Sequence, residues 1–254
     1  MGKSGFRFAT YNVQHFLNYA ARLLDKKDKR ITPECIADVI LREGVEICSL
    51  QEVDCFVPRS GNCDQLAVLL QILRERSGVN WEGVYAPAIP LDGGEYGVAL
   101  VSRYPIEQSD TVKIALPAAQ WFEGGRFEDR VLLTARIRVG DEMLTVLNTH
   151  FGLMPAEQDL SVKAIADAVA KNEGALLLAG DFNAQPDDAH IESLCKMLTL
   201  TGERDSLPLT YSSDRPYETI DYIFHNRALS ATGLHTVADT SSDHLPLIAD
   251  VQFL

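Results

Sequence analysis

Six short polar stretches in this sequence each follow an apolar, strand-like run. FATY leads to Asn12, ICSLQ to Glu52, LTVLNT to His150, and LLLAG to Asp181 and Asn183; TI leads to Asp221, and Ser241-Ser242 to Asp243 and His244. The ends of buried strands are where α/β folds gather ligand sites, because the loops there converge over a rigid scaffold. If the six converge, their residue types suit one chemistry. A magnesium ion takes oxygen ligands, one or two carboxylates completed by water and substrate phosphate. Glu52 is then the expected primary ligand, with Asn12 and Asp243 near the ion or bound through water. Phosphoester hydrolysis also needs an activated water, charge neutralisation on the phosphoryl oxygens and help for the leaving group. Asp181 could orient or deprotonate the water. Asn183 lies two residues along, on the same face of an extended segment, and could hold that water or a phosphate oxygen. His150 and His244 could donate to the phosphate or the leaving oxygen, and Asp221 could hold the second nitrogen of His244. Any one of these residues alone reads as an ordinary turn or cap; their shared position after apolar strands is the informative feature.

The elements that must position them follow from periodicity. Strands are predicted at 6–13, 45–50, 81–86, 97–102, 130–139, 143–148, 175–179, 220–224 and 245–251. The run 175–179 is wholly apolar, as in strands buried on both faces. A helix starts at Thr32-Pro33, with proline at the first helical position, and ends at Gly44; a second runs from Asp64 to Gly78. Further helices are predicted at 161–170 and around Ile191, Leu194 and Leu198. Helices interleave with strands at both ends of the chain and hairpins fill the centre. That mixture predicts an α/β (α+β) fold of two mixed sheets packed together with helices outside.

The 254 residues show no repeat or linker, so a single domain over 1–254 is expected. The net charge of −13 argues against a broad basic face for nucleic acid, although a local groove could oppose it. No apolar stretch approaches the length of a membrane span, and MGKSGFRFATYNV has no signal-peptide core, which predicts a cytoplasmic protein without stable membrane association. Met1-Gly2 with Ser4 is a weak match to an acylation signal. The five cysteines show no zinc-ligand spacing; Cys35 and Cys48 read as buried hydrophobes, and Cys55 and Cys63 flank a loop and could pair, free thiols being favoured.

The sequence resembles the endonuclease/exonuclease/phosphatase superfamily, the DNase I-like fold. The matching stretches are TYNV at 10–13, LQEVD at 50–54, YGVALVSRYPI at 96–106, LNTHFGL at 147–153, GDFNAQP at 180–186, TIDYIF at 219–224 and SSDHLPLIADV at 241–251. The resemblance implies a four-layer sandwich of two mixed β-sheets flanked by helices. It implies a metal on Glu52 with Asn12 nearby, a water at Asp181 and Asn183, and phosphate at His150 and His244, with Asp221 in support and Asp243 near the metal. Mg²⁺ is the implied ion, with Mn²⁺ or Ca²⁺ as substitutes. Segments at 53–65, 127–137 and 209–224 further resemble a compact bacterial subgroup of metal-dependent hydrolases. Arg59, Arg103, Arg130 and Arg215 fall in or beside these motifs; the first three are candidate phosphate clamps, against the equal alternative of structural ion pairs. Cys55 and Cys63 depart from that subgroup's pattern.

The expected activity is divalent-metal-dependent hydrolysis of a phosphodiester or phosphomonoester. The alternatives are a nuclease on DNA or RNA and, with less support, an inactive binding module on the same scaffold. The Trp121-Phe122 pair is a faint candidate for lipid contact. No protein partner is implied.

Overall fold

The strands of this chain form two six-stranded mixed sheets, and the reason lies in what each strand buries. The structure, a computed structural model, describes residues 5–115, 121–122, 125–126 and 128–254, with the side chains of 121–122 and 125–126 excepted. In chain order the elements are β1 (Gly5–Asn12), α1 (Tyr19–Leu24), α2 (Pro33–Arg42), β2 (Ile47–Cys55), α3 (Gln65–Ser77), β3 (Glu82–Leu91), β4 (Gly94–Ser102) and β5 (Ile106–Ile114). They continue with β6 (Trp121–Phe122), β7 (Gly125–Arg126), β8 (Arg130–Val139), β9 (Glu142–His150), α4 (Pro155–Lys171), β10 (Ala175–Asp181) and α5 (Ala189–Cys195). The chain closes with β11 (Thr199–Leu200), β12 (Asp221–His225), β13 (Leu229–Thr236) and β14 (Leu247–Phe253). The sheet orders are β13-β14-β1-β2-β4-β3 and β11-β12-β10-β9-β8-β5, with β6 and β7 as a separate short pair.

Three apolar layers hold four structural layers together. Between the sheets lie Phe8, Leu100, Leu133, Val146, Leu177 and Val251. Outside the first sheet, Ile36 and Ile40 of α2 and Leu69 and Leu73 of α3 cover Leu50 and Trp81. Outside the second, Ile165 of α4 and Ile191 and Leu194 of α5 cover Leu178, Phe182 and Phe224. Each such side chain, fully buried, contributes about 1.5–3 kcal/mol relative to exposure. All seven residues of β10 are buried, as the unbroken apolar run requires.

The helix boundaries follow local chemistry. Asp64 accepts a 3.0 Å bond from Ala67 N to cap α3, and Gly78 ends it in the left-handed conformation at φ +69°. Thr32 occupies the N-cap position of α2 but its side chain makes no capping bond. α4 starts at Pro155, six residues before the predicted start, with Glu157 accepting from Met154 N at 3.1 Å. β5 and β13 escaped the periodicity because both are edge strands with largely exposed or half-exposed side chains. All five cysteines are free thiols; Cys48 is buried as expected, whereas Cys35 is only partly so. The possible acylation signal at Met1, Gly2 and Ser4 and the side chains of Trp121 and Phe122 lie outside the described residues. Among the described residues, no helix is long and apolar enough to cross a membrane.

The topology explains why residues far apart in sequence share one edge. β1 runs parallel to β2, and β9 parallel to β10, with Asp181 beside His150 in register. β12 and β14 run antiparallel to β10 and β1, so they begin where their neighbours end: Asp221 pairs with Asp181, and Leu247 with Thr10. Asp221 therefore opens a strand, not closes one, and still arrives at the same edge.

Candidate active site

A buried polar tie between the sheets forms the floor of the site. Thr10, Gln51 and Asn148 are 0% exposed. Gln51 Nε2 donates to Thr10 Oγ1 at 3.1 Å and to Asn148 Oδ1 at 2.8 Å, and Asn148 Nδ2 donates to the carbonyls of Leu50 and Ala99. Directly above, Asn12 Nδ2 donates both to Glu52 Oε1 at 3.1 Å and to Asp181 Oδ2 at 2.9 Å. One amide nitrogen thus bridges the two central carboxylates. Asn12 Oδ1 accepts from Gln14 N at 3.1 Å, so in this arrangement the residue spaces carboxylates more than it offers an oxygen to an ion.

The remaining groups surround Asp181. His244 Nδ1 lies 2.9 Å from Asp221 Oδ2, and its Nε2 lies 3.6 Å from Asp181 Oδ2. His150 Nε2 lies 3.4 Å from the same Asp181 oxygen and 3.2 Å from Asn183 Nδ2. Asn183 N donates to Asp181 Oδ1 at 3.0 Å. Gln14 Nε2 donates to Asp243 Oδ2 at 2.6 Å, and Tyr211 packs its ring 4.9 Å from that of His244. Asp181, Asn183, His150, His244, Asp243 and Tyr211 line a cavity of about 410 Å³, with Asp221 and Gln14 behind them.

Several of these positions are held in strained backbone. Glu52 has φ +60°, Asn183 +47° and Gln14 +43°, all in the left-handed region that a side chain with a Cβ disfavours. Such residues cost about 1–3 kcal/mol each and persist only where their surroundings fix them. Glu52 does not end its strand, as its sequence position suggested. β2 continues to Cys55, and Glu52 sits at a bulge between Leu50 and Val53 in the pairing with β4. The bulge turns the carboxylate out of the ladder and into the cavity.

The electrostatics divide the site into two parts. Burial opposes the charge on His244, yet Asp221 and Asp181 more than offset it and raise its pKa to about 10. His150 is pushed well below the ordinary imidazole value by burial, with Arg130 and His244 adding to the effect, and stays neutral. Burial pushes Asp181 up to about 7, against the pull of His244. Glu52 and Asp243 are also raised, by burial first and, for Glu52, by the charge of Asp243.

That last pair decides how well a cation fits. Two half-buried carboxylates disfavour each other's charge, and the Oε1 of Gln14, whose amide nitrogen bonds Asp243, is buried without a partner among the described residues. An oxygen-rich, anionic donor set of this kind suits a hard divalent ion. Asp181, Asp221 and His244 also lie close enough to converge, within 4.8 Å of one another. There, however, the protonated imidazole already supplies the compensating charge.

The sequence matches the family model for the Endonuclease/Exonuclease/phosphatase family over residues 9–244. The chain belongs to this family. No curated protein matches it at the sequence level. Among solved structures, an endonuclease/exonuclease/phosphatase from Beutenbergia cavernae superposes with a TM-score of 0.77 at 22% identity, over 98% of this chain and 72% of that one. The mannosyl-6-phosphatase of Bacteroides thetaiotaomicron gives 0.76 at 15% identity, covering 98% of this chain and 100% of that one. The human Nocturnin catalytic domain with bound sulfate gives 0.67 at 18% identity, over 98% and 94%. These likenesses show the DNase I-like fold: two mixed sheets between helical layers. Members of this family are phosphoester hydrolases, and the family generally uses divalent metals.

Within this family member, the structure brings Asn12, Glu52, His150, Asp181, Asn183, Asp221, Asp243 and His244 together and separates the three arginines. Arg130 lines the cavity, 8% exposed, with its Nε buried and unpartnered and one guanidinium nitrogen 3.4 Å from Glu128. Arg59 is engaged by Asp54 through two bonds, of 2.9 and 2.8 Å. Arg103 leaves the opposite end of the sheet, 3.7 Å from Glu46, and cannot reach the site. That candidate is corrected: Arg103 is a surface ion pair. Sequence reasoning assigned no role to Gln14, Tyr96 or Tyr211, because none follows the apolar-run-plus-polar pattern, although Tyr96 and Tyr211 lie inside the resembling stretches 96–106 and 209–224.

Proposed function

We propose that this protein is a divalent-metal-dependent hydrolase acting on a phosphoester of a small molecule. The observation that carries the reading is the single amide of Asn12, which joins the Glu52 carboxylate to an Asp181 carboxylate that both site histidines approach. Glu52 and Asp243, with Asn12 and Gln14 alongside, would hold a Mg²⁺ or Mn²⁺ ion. Such an ion supplies charge neutralisation on the phosphoryl oxygens and the leaving oxygen.

The chain's own groups do the rest. Asp181 accepts a proton from the attacking water, and its backbone partner Asn183 orients that water beside it. His244, held in one orientation by Asp221, keeps its proton and donates from Nε2 to a phosphoryl oxygen. Neutral His150 lines the other side of Asp181, with Asn183 fixing its ring. Arg130 contributes a cation on the cavity wall for the remaining phosphate charge.

A small substrate is favoured over DNA or RNA. Among the described residues facing the cavity, Arg130 is the one side chain besides His244 that carries positive charge, while Glu128 and Glu218 add negative charge at the wall. A polyanion needs a row of cations along its backbone. A larger cavity of about 630 Å³ lies between α4 and the face of β5, β8 and β9, but it contains none of the site residues.

The test is turnover of bis-p-nitrophenyl phosphate, p-nitrophenyl phosphate, sugar phosphates, and single- and double-stranded nucleic acid, with Mg²⁺, Mn²⁺ or chelator. Turnover should vanish in chelator, return with metal, and fall at least about a hundredfold in Glu52→Gln and His244→Ala. Full activity in chelator or in both variants would sink the mechanism. A preference for nucleic acid would replace the small-molecule reading by the nuclease one.

A further inference from the structure

Tyr96 stands on the cavity wall beside the catalytic groups, and the residues behind it form a chain of support. It lies opposite Asp54 in the pairing of β4 with β2, so the two side chains emerge on the same face of the sheet. Asp54 is 0% exposed, and its backbone N–H is held by Gln65 Oε1 at 2.8 Å. Its two carboxylate oxygens take Arg59 Nε at 2.9 Å and Nη2 at 2.8 Å. The guanidinium so fixed lies 5.5 Å from the centre of the Tyr96 ring, within cation–π range. The phenol faces the cavity that also receives Glu52 and Arg130. Among the described residues, none hydrogen-bonds its oxygen.

The same geometry makes Arg59 a poor phosphate clamp. The planar fork that would grip a phosphate is spent on Asp54, and the pair carries no net charge. What Arg59 does retain is its contact with the ring face. Gly97, the next residue, packs so tightly that a Cβ there would come within 2.1 Å of the Ala86 carbonyl, so the backbone beneath Tyr96 has no room to shift. A donor on a rigid strand, buttressed from behind and open in front, is the arrangement that stabilises developing charge without reorganisation.

We propose that the Tyr96 hydroxyl hydrogen-bonds the phosphoryl group of the substrate, and that Arg59, held by Asp54, acts on the reaction only by fixing the Tyr96 ring. Tyr96 is then a catalytic residue and Arg59 a positioning one. The inference rests on the hydrolase reading above, and the experiment separates the two.

Four variants of the full chain are compared with the unmodified protein: Tyr96→Phe, Arg59→Met, Arg59→Lys, and Tyr96→Phe with Arg59→Met. Turnover of bis-p-nitrophenyl phosphate is measured with saturating Mn²⁺, and binding of inorganic phosphate is measured separately. Tyr96→Phe should lower kcat about ten- to hundredfold with a smaller change in KM, the range for losing one hydrogen bond to a charged group. Arg59→Met should lower kcat about tenfold, and Arg59→Lys, which keeps a cation near the ring, by less. The double variant should be no worse than Tyr96→Phe alone within about twofold, because groups that act through one another do not add. Losses that multiply in the double variant would show Arg59 touching substrate itself and overturn its assigned role. A Tyr96→Phe protein with unchanged kcat and phosphate affinity would overturn the role of Tyr96. If the unmodified protein turned over no ester, the hydrolase reading would fail by itself. Phosphate binding would still decide the inference: weakening of about tenfold in Tyr96→Phe supports it and no change rejects it. Melting temperature and Mn²⁺ affinity verify that each variant is folded and retains its metal site.

Discussion

Gln51 Nε2 donates to Asn148 Oδ1 at 2.8 Å, and this bond crosses from one sheet to the other directly beneath the candidate site. Both residues are 0% exposed, and each lies just ahead of a site residue: Glu52 follows Gln51 directly, and His150 comes two residues after Asn148. Replacing Asn148 by Leu keeps the branched shape but strips Gln51 of an acceptor and two backbone carbonyls of a donor. A buried polar group left unpaired costs about 1–3 kcal/mol, so Asn148→Leu should lose roughly 2–4 kcal/mol in urea unfolding and lower activity as the motifs shift. A loss below about 0.5 kcal/mol would mean that the tie contributes little.

Much of this site could be read in the sequence because a buried strand followed by a polar residue leaves a strong local signal. Asn12, His150 and Asp181 end their strands as expected. Asp221 was found for the same reason despite opening β12, since an antiparallel strand begins at the edge where its neighbour stops. Gln14 was illegible: it occupies a left-handed turn at φ +43°, where no periodicity operates, and its partner Asp243 is 229 positions away. The arginines show the same limit. Nothing local distinguishes Arg103, paired across the sheet with Glu46, from Arg130, which faces the cavity. The strands β5 and β13 were missed because exposed edges carry no apolar alternation.

The proton positions in the site predict a bell-shaped pH–rate profile. Catalysis needs Asp181 ionised, with its pKa raised by burial to about 7, and His244 protonated, with its pKa raised to about 10. The rate should therefore climb through pH 7 and fall near pH 10. Asp221→Asn removes the charge that contributes most to raising His244, so the falling limb should move to lower pH and kcat should drop about 10²–10⁴-fold. A falling limb left in place would count against His244 as the donor. Stability follows with a definite sign. Asp181 binds its proton more tightly folded (about 7) than at its ordinary 3.8, so its ionisation destabilises the fold as pH rises between those values. Asp181→Asn should accordingly be inactive yet at least as stable as the unmodified protein in thermal melts at pH 8.

The approach of β10 to β9 just before Asp181 leaves no room for a side chain. A Cβ on Gly180 would lie 2.1 Å from the Thr149 carbonyl oxygen, which belongs to rigid backbone. Relief would require the two strands to part where Asp181 and His150 are paired. Gly180→Ala should therefore destabilise the protein by roughly 2 kcal/mol or more and lower kcat even at temperatures where it is folded. A variant with normal stability and normal turnover would show that the strands are not packed this closely.

The separated arginines give the sharpest contrast between neighbours in motif and neighbours in space. Arg103 pairs with Glu46 at 3.7 Å with its side chain 41% exposed, and exposed pairs of this kind contribute about 0–1 kcal/mol. Arg103→Ala should leave kcat/KM within about twofold of the unmodified value. Arg130 lines the cavity wall at 8% exposed, with one guanidinium nitrogen 3.4 Å from Glu128, so it places a positive charge beside the substrate's position. Arg130→Met keeps the stem and removes the charge; losing a charge-assisted hydrogen bond of about 1.5–3 kcal/mol should reduce kcat/KM by roughly ten- to hundredfold. A phosphomonoester carries more charge than a diester, so the loss should be larger for p-nitrophenyl phosphate than for bis-p-nitrophenyl phosphate. Equal losses on both esters would place Arg130 on the leaving group's side of the cavity, and no loss on either would leave it a partner of Glu128 alone.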